Sequence, residues 1–259
     1  MLHLHDADGL LATVLNWKVL LIACAVSWLS GFLRGFTGFG SALLYVPAMA
    51  AIYNPQTAAA TLVVIDIIGS AKRTIEARRT CHWHDVLFLT GTALIGAVVG
   101  TVALSYEQPI LLRYFASAVV LCVLMLITAG WRYSGRPGRI LTAVVGLISG
   151  FLGGAVAMEG PPAVLFWLGG QNTAAVTRAN VMVFIVLTEF MVLLLYACFG
   201  LLTAKVLALV VVLLPFFWLS FWLGDRKFHG TTDRVYRLSA SLIIGLSAIA
   251  SLFIQNRVG

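Results

Sequence analysis

The chain has 259 residues, of which 61% are hydrophobic and only 10% charged. A soluble domain carries about 25% charged residues, so a water-soluble enzyme, a DNA-binding domain and a disulfide-stapled secreted domain are excluded. Disorder is excluded too, because it needs a chain poor in apolar residues; the solvent for this much apolar surface is lipid.

The net charge of +7 is explained by where the cations sit. They form short clusters between apolar stretches: Lys72, Arg73, Arg78 and Arg79, then Arg132, Arg136 and Arg139, then Arg226, Lys227, Arg234 and Arg237. Clusters of this kind mark the cytoplasmic loops of a multi-pass membrane protein, so nucleic acid is not an expected partner. The N-terminal MLHLHDADGLLATVLNW lacks the basic start of a cleaved signal peptide. The first span is expected to insert directly and to stay.

In chain order, residues 17–33 are apolar and run into GFLRGFTGFG (31–40), followed by a short apolar piece, 41–53, containing Pro47. Spans are expected over 57–71, 85–104 and 110–130, at about 20 apolar residues each. The first of these is short and extends by snorkelling of Lys72 and Arg73. The second half has the same layout. Residues 140–149 are apolar, GFLGGAVAMEGPP (150–162) follows, then the short piece 163–169, then spans over 175–200, 204–223 and 234–254. Glycine and proline interrupt helices, so 31–53 and 150–169 read as broken or re-entrant helix pairs.

Shared order points to an internal duplication. Ser30-Gly31-Phe32-Leu33 recurs as Ser149-Gly150-Phe151-Leu152, and Gly35 matches Gly154. Asn54-Pro55-Gln56-Thr57-Ala58-Ala59 resembles Gln171-Asn172-Thr173-Ala174-Ala175. Gly100 aligns with Gly224, and Arg113-Tyr114-Phe115 with Tyr236-Arg237-Leu238. The expected organisation is an all-α polytopic protein, one integral membrane domain made of a first repeat, 1–131, and a second, 132–259. With the basic clusters inside, each copy crosses the bilayer an odd number of times. The copies are then inverted and both termini lie outside the inner (plasma) membrane. Trp17, Trp83 and Trp131 fall at span ends, as interfacial aromatics do.

The two interruptions are the candidate site. Non-helical backbone at membrane depth persists only where protein buries it or water reaches it. A short helix starting after a glycine run aims free N–H groups and a positive dipole end at what precedes it. Two such ends, at 38–47 and 157–165, suit an anion. Gly35, Gly38, Gly40 and Ser41 in the first motif, and Gly154 and Gly160 in the second, are the backbone positions a ligand can approach. The alternative is that these glycines only allow tight helix packing.

Charges within spans are costly and mark function by default. Arg34 either pairs with the substrate's negative group, for which a planar guanidinium is suited, or snorkels to the interface. Arg178 reads as interfacial. Asp66 and Glu189 are either proton-coupling carboxyls or structural partners of an arginine or a backbone group, and Glu159, beside a helix break, reads as a proton-coupling group. Gln171 and Asn180 line a site or act as helix glue. His82 and His84 lack a third metal ligand, and His3 and His5 sit at a terminus. Cys24, Cys81, Cys122 and Cys198 show no CxxC or Cys/His spacing. No P-loop occurs. Neither a metal nor a cofactor is expected.

The segments GFLRGFTGFGSALLYVPAM and GLISGFLGGAVAMEGPPAVLF, with the duplication and the length, resemble the TauE/SafE or sulfite exporter family of membrane transporters. The first motif is similar to the family's glycine-rich pattern at Gly31, Gly35, Gly38, Gly40 and Pro47. It departs at Ser41, where another glycine is common, and the second motif departs at Glu159. The resemblance implies movement of small anions such as sulfite, sulfoacetate or another organosulfonate. The expected function is secondary transport of such an anion by alternating access, linked to protons, with the bilayer as environment and a homodimer as an open option. The alternatives are a cation-coupled or cation carrier, an intramembrane enzyme, which lacks a nucleophile–base pair at telling spacing, and a non-transporting membrane scaffold subunit.

Overall fold

The structure, a computed structural model, describes residues 17–105, 138–170, 172–228 and 235. These residues form eight α-helices and no strand: α1 (Trp17–Thr37), α2 (Ser41–Ile52), α3 (Pro55–Ala77), α4 (Trp83–Ser105), α5 (Arg139–Val156), α6 (Gly160–Leu168), α7 (Ala174–Cys198) and α8 (Ala204–Phe228). Helices α1, α4, α5, α7 and α8 are long and apolar enough to cross a membrane. Helix α3 has 23 residues, which at about 1.5 Å per residue is the length of the hydrocarbon core. The chain is a multi-pass, all-helical membrane protein. The spans expected over 110–130 and 234–254, and Trp131, lie outside the described residues. Trp17 and Trp83 each open a helix and are exposed.

Two expectations need correcting. The first interruption does not begin at Gly31; α1 runs on through Gly31 and Gly35 to Thr37, and only Gly38–Gly40 break it. Likewise α5 runs through Gly150 and Gly154 to Val156, and the second break is Ala157–Glu159. In lipid an unpaired backbone group has no water to turn to. A glycine therefore stays helical there unless its φ must turn positive. Helix α3 extends past residue 71 to Ala77 and carries Lys72 and Arg73 near its end, in line with the expected extension into the basic cluster.

The helical glycines serve close packing. A Cβ at Gly31 or Gly35 would overlap the carbonyls of Phe217 and Phe221 on α8, and one at Gly224 would overlap the carbonyl of Phe32. The contact numbers rise together along both helices, so α1 and α8 run parallel. Ser27 Oγ, one turn earlier, donates to Leu213 O at 3.1 Å in the same register. Helices α4 and α5 repeat the arrangement. A Cβ at Gly96 or Gly100 would overlap the carbonyls of Leu147 and Phe151, and one at Gly150 or Gly154 those of Ala93 and Ala97. Small residues four apart let membrane helices approach to backbone contact, where dispersion and Cα–H···O contacts replace the missing hydrophobic drive. Helices α3 and α7 pack on each other between these two seams, α3 against α8 and α7 against α4.

Gly150→Ala is therefore expected to lower stability by about 1–3 kcal/mol through overpacking. Gly91, where a Cβ meets nothing within 4 Å, should tolerate alanine within about 1 kcal/mol. Thermal unfolding of the detergent-solubilised variants checks both.

Candidate functional site

Each break is held by its own backbone. Gly38 and Gly40 have φ of +83° and +93°, values that a side chain would strain. The Gly38 N–H donates to Arg34 O at 2.8 Å and closes the last turn of α1. The single Thr37 Oγ1 proton lies between two acceptors, Leu33 O at 2.8 Å and Phe39 O at 2.5 Å. In the second break Ala157 adopts φ +52° without being glycine, a conformation that costs about 1–2 kcal/mol. Its N–H and that of Met158 reach back to Gly153 O and Leu152 O at 2.9 and 3.1 Å. The two breaks meet: a Cβ at Gly160 would lie 3.6 Å from Phe39 Cβ and 3.7 Å from Ile185 Cδ1 of α7.

The helix ends differ in what they offer. Helix α2 begins Ser41-Ala42-Leu43 behind Gly40, so three N–H groups there lack an acceptor within the helix. Helix α6 begins Gly160-Pro161-Pro162 behind Glu159. The prolines suit the first turn of a helix but remove two of its donors. The anion-friendly terminus is that of α2.

Arg34 organises the first break. It is 0% exposed, and its Nε donates to Asp66 Oδ1 at 2.7 Å. Its Nη1 donates to Gly38 O, and its Nη2 has no hydrogen-bond partner. Asp66 sits at the middle of α3 and takes a second bond, from Ser41 Oγ, at 2.7 Å on Oδ2. Both carboxylate oxygens are thus engaged, by groups from α1 and α2. Arginine snorkelling to the interface does not describe this buried side chain.

Glu159 and Glu189 are buried as well, 3% and 2% exposed, and each leaves its Oε2 without a hydrogen-bond partner. Glu159 Oε2 lies 3.1 Å from where a Gly153 Cβ would be, with Thr188 Cγ2 at 3.6 Å from the same point. Arg34 lies within electrostatic reach of Asp66, Glu159 and Glu189. The centre of the protein therefore holds one guanidinium against three carboxyls, only one of which it grips.

The remaining sequence candidates fall elsewhere. Gly35 and Gly154 sit in the parallel helix seams, where their carbonyls accept from Arg178 Nη2 and, at 2.9 Å, from Tyr196 Oη. Gly38 and Gly40 form the first break, and Ser41 and Gly160 open the helices that follow the two breaks. Arg178, expected at the interface, is instead buried. It ion-pairs with Asp225 at 2.8 Å and stacks over the Phe228 ring at 4.2 Å. Asn180 Oδ1 accepts the His82 N–H at 2.8 Å and ties α7 to the loop between α3 and α4. His82 and His84 are exposed, and no group of three metal-binding side chains occurs among the described residues. Gln171, His3 and His5 lie outside the described residues. Sequence reasoning passed over Asp225 and Tyr196. A single acid inside the cationic run Gly224–Lys227 was the available signal for the first; nothing marked the second among the many aromatics.

Helices broken at facing positions, with ionisable side chains buried between them, are the architecture on which secondary membrane transporters are built. The family model described as Sulfite exporter TauE/SafE matches residues 23–251, and the chain belongs to that family of membrane transporters. No curated protein and no solved structure matches the chain.

Asp66→Ala, which leaves Arg34 unpaired at full burial, is expected to cost about 3–5 kcal/mol. Adding Arg34→Met should recover part of that loss. A double-mutant cycle read by thermal unfolding measures the coupling.

Proposed function

We propose that the protein carries a small oxyanion such as sulfite, or an organosulfonate such as sulfoacetate, across the inner membrane, linked to protons and by alternating access. The single observation that carries this reading is the free Nη2 of a fully buried Arg34 beside the N-terminus of α2. A planar guanidinium edge and a ring of backbone donors recognise a tetrahedral or pyramidal oxyanion. Asp66 serves as the fixed counter-ion that orients Arg34. Glu159 and Glu189 serve as the proton carriers, because an anion entering beside ionised, unpaired carboxylates is repelled until those carboxylates take up protons.

Alternating access needs two halves that move against each other. Helices α1 and α5, each broken, pack on α8 and α4 respectively. An inverted duplication with its boundary near 131 accounts for this exchange of partners between halves. The basic ends of α3 and α8 then face the cytoplasm, and both termini face outward. A second reading follows from the excess of carboxyls around Arg34: a cation bound at Glu159 and Glu189 replaces the protons.

Proteoliposomes loaded with labelled sulfite or sulfoacetate test both readings. Accumulation should follow an imposed pH gradient and vanish with its collapse; persistence in sodium alone would select the cation-coupled reading. Arg34→Ala should weaken anion binding about tenfold or more, the worth of one charged hydrogen bond. Arg79→Ala, on an exposed residue, should leave binding unchanged. Thermal-shift titration with sulfite, sulfate, sulfoacetate and taurine gives the comparison.

A further inference from the structure

The two helix seams end in the same geometry but different chemistry. A Cβ at Gly35 would overlap Phe221 O and reach Asp225 N at 3.0 Å, while one at Gly154 would overlap Ala97 O and reach Thr101 N at 2.8 Å. Asp225 thus stands to the α1–α8 seam as Thr101 stands to the α4–α5 seam. Each seam glycine also gives its carbonyl to a side chain of α7. Near one end of α7, Arg178 donates to Gly35 O. Near the other end, Tyr196 Oη donates to Gly154 O at 2.9 Å.

The first contact belongs to a charged network. Arg178 pairs with Asp225 Oδ1 at 2.8 Å, Arg73 of α3 pairs with Asp225 Oδ2 at 2.5 Å, and Arg73 also pairs with Glu76 at 2.5 Å. Asp225 is 1% exposed. The network joins α1, α3, α7 and α8 directly beside the first break, where Arg178 Cγ lies 2.8 Å from the position of a Gly38 Cβ. The second contact has no charge in it. Tyr196 is neutral with its hydroxyl bonded to backbone, and Thr101 Oγ1 has no hydrogen-bond partner.

We infer that these are two unequal gates on the central site: an ionic one, Arg178–Asp225–Arg73, at the basic end of the helices, and a neutral one, Tyr196–Gly154, at the opposite end. Opening the ionic gate exposes a buried carboxylate and separates it from two guanidinium groups. Opening the neutral gate breaks one hydroxyl–carbonyl bond. The protein therefore rests sealed at its basic end and samples openings at the other. The inference rests on the transporter reading but not on the cargo.

Access labelling tests it. A Ser41→Cys reporter is placed in a full-length chain whose native cysteines are alanine, and a membrane-impermeant maleimide is applied to sealed vesicles of either orientation. Arg79→Cys, on an exposed residue at the basic end, identifies the vesicles that present that end. Ser41→Cys should react about tenfold faster from the end opposite the cations. Asp225→Asn should raise the basic-end rate about tenfold, while Asp225→Glu should stay within about twofold of the parent. Tyr196→Phe should raise only the opposite-end rate. Equal parental rates from both ends, or an unchanged basic-end rate in Asp225→Asn, overturns the inference. If Asp225→Asn does not fold, Arg73→Gln decides: about a threefold rise at the basic end is expected, and no rise overturns it. Labelling reports access whatever is carried, so its failure is distinct from a failure of sulfite or sulfoacetate uptake.

Discussion

The burial of Arg34 is the constraint on which the centre of this protein depends. A guanidinium at membrane depth must be paired and its N–H groups bonded. Arg34 meets that demand in part, gripping Asp66 on α3 with Nε and the Gly38 carbonyl in the break with Nη1, and keeps Nη2 without a partner. Ser41 closes the circuit from α2 onto the same carboxylate. One side chain thereby fixes three elements: the end of α1, the start of α2 and the middle of α3. The glycines at 38 and 40 make the turn sterically possible. The ion pair makes it worth keeping in a solvent that penalises every unpaired backbone group.

Around that centre, glycine has two different uses. At Gly38 and Gly40 it supplies positive φ and lets the chain reverse. At Gly31, Gly35, Gly150 and Gly154 it supplies only the absence of a side chain, so that parallel helices touch backbone to backbone. The second use gives smooth, rigid seams along α1–α8 and α4–α5. The first concentrates the irregular backbone into two short breaks that face each other through Phe39 and Gly160. Close packing along the helices and reversal of the chain at the centre are thus two separate jobs of one residue type.

Much of the fold was legible in the sequence, since apolar stretches of the length of a bilayer leave little choice of element. The helices among the described residues, the presence of an irregular region within each of 31–53 and 150–169, and the family resemblance carried by GFLRGFTGFG and GFLGGAVAMEGPP all followed from residue type and order. The extent of the breaks was not legible. Gly31 and Gly38 are the same residue in the sequence, and only the neighbour each one meets tells packing glycine from turning glycine. Arg34 and Arg178 likewise look alike as charges near span ends. Burial among the helices turned one into the keystone of a break and the other into part of an ion cluster.

The sequence by itself determined that the chain lives in lipid, that it is helical, that most of its cations gather in short clusters between apolar stretches, and that carboxyls and an arginine lie where lipid would forbid them alone. Those properties are sums over local residue chemistry, and no neighbour can change them. Only the tertiary structure decided which charges meet. Asp66 is spoken for on both oxygens, Glu159 and Glu189 are not, and Asp225, on the final described helix, answers an arginine 47 positions away. Pairing depends on the packing of helices distant in the chain, and the low dielectric between them makes each pairing matter.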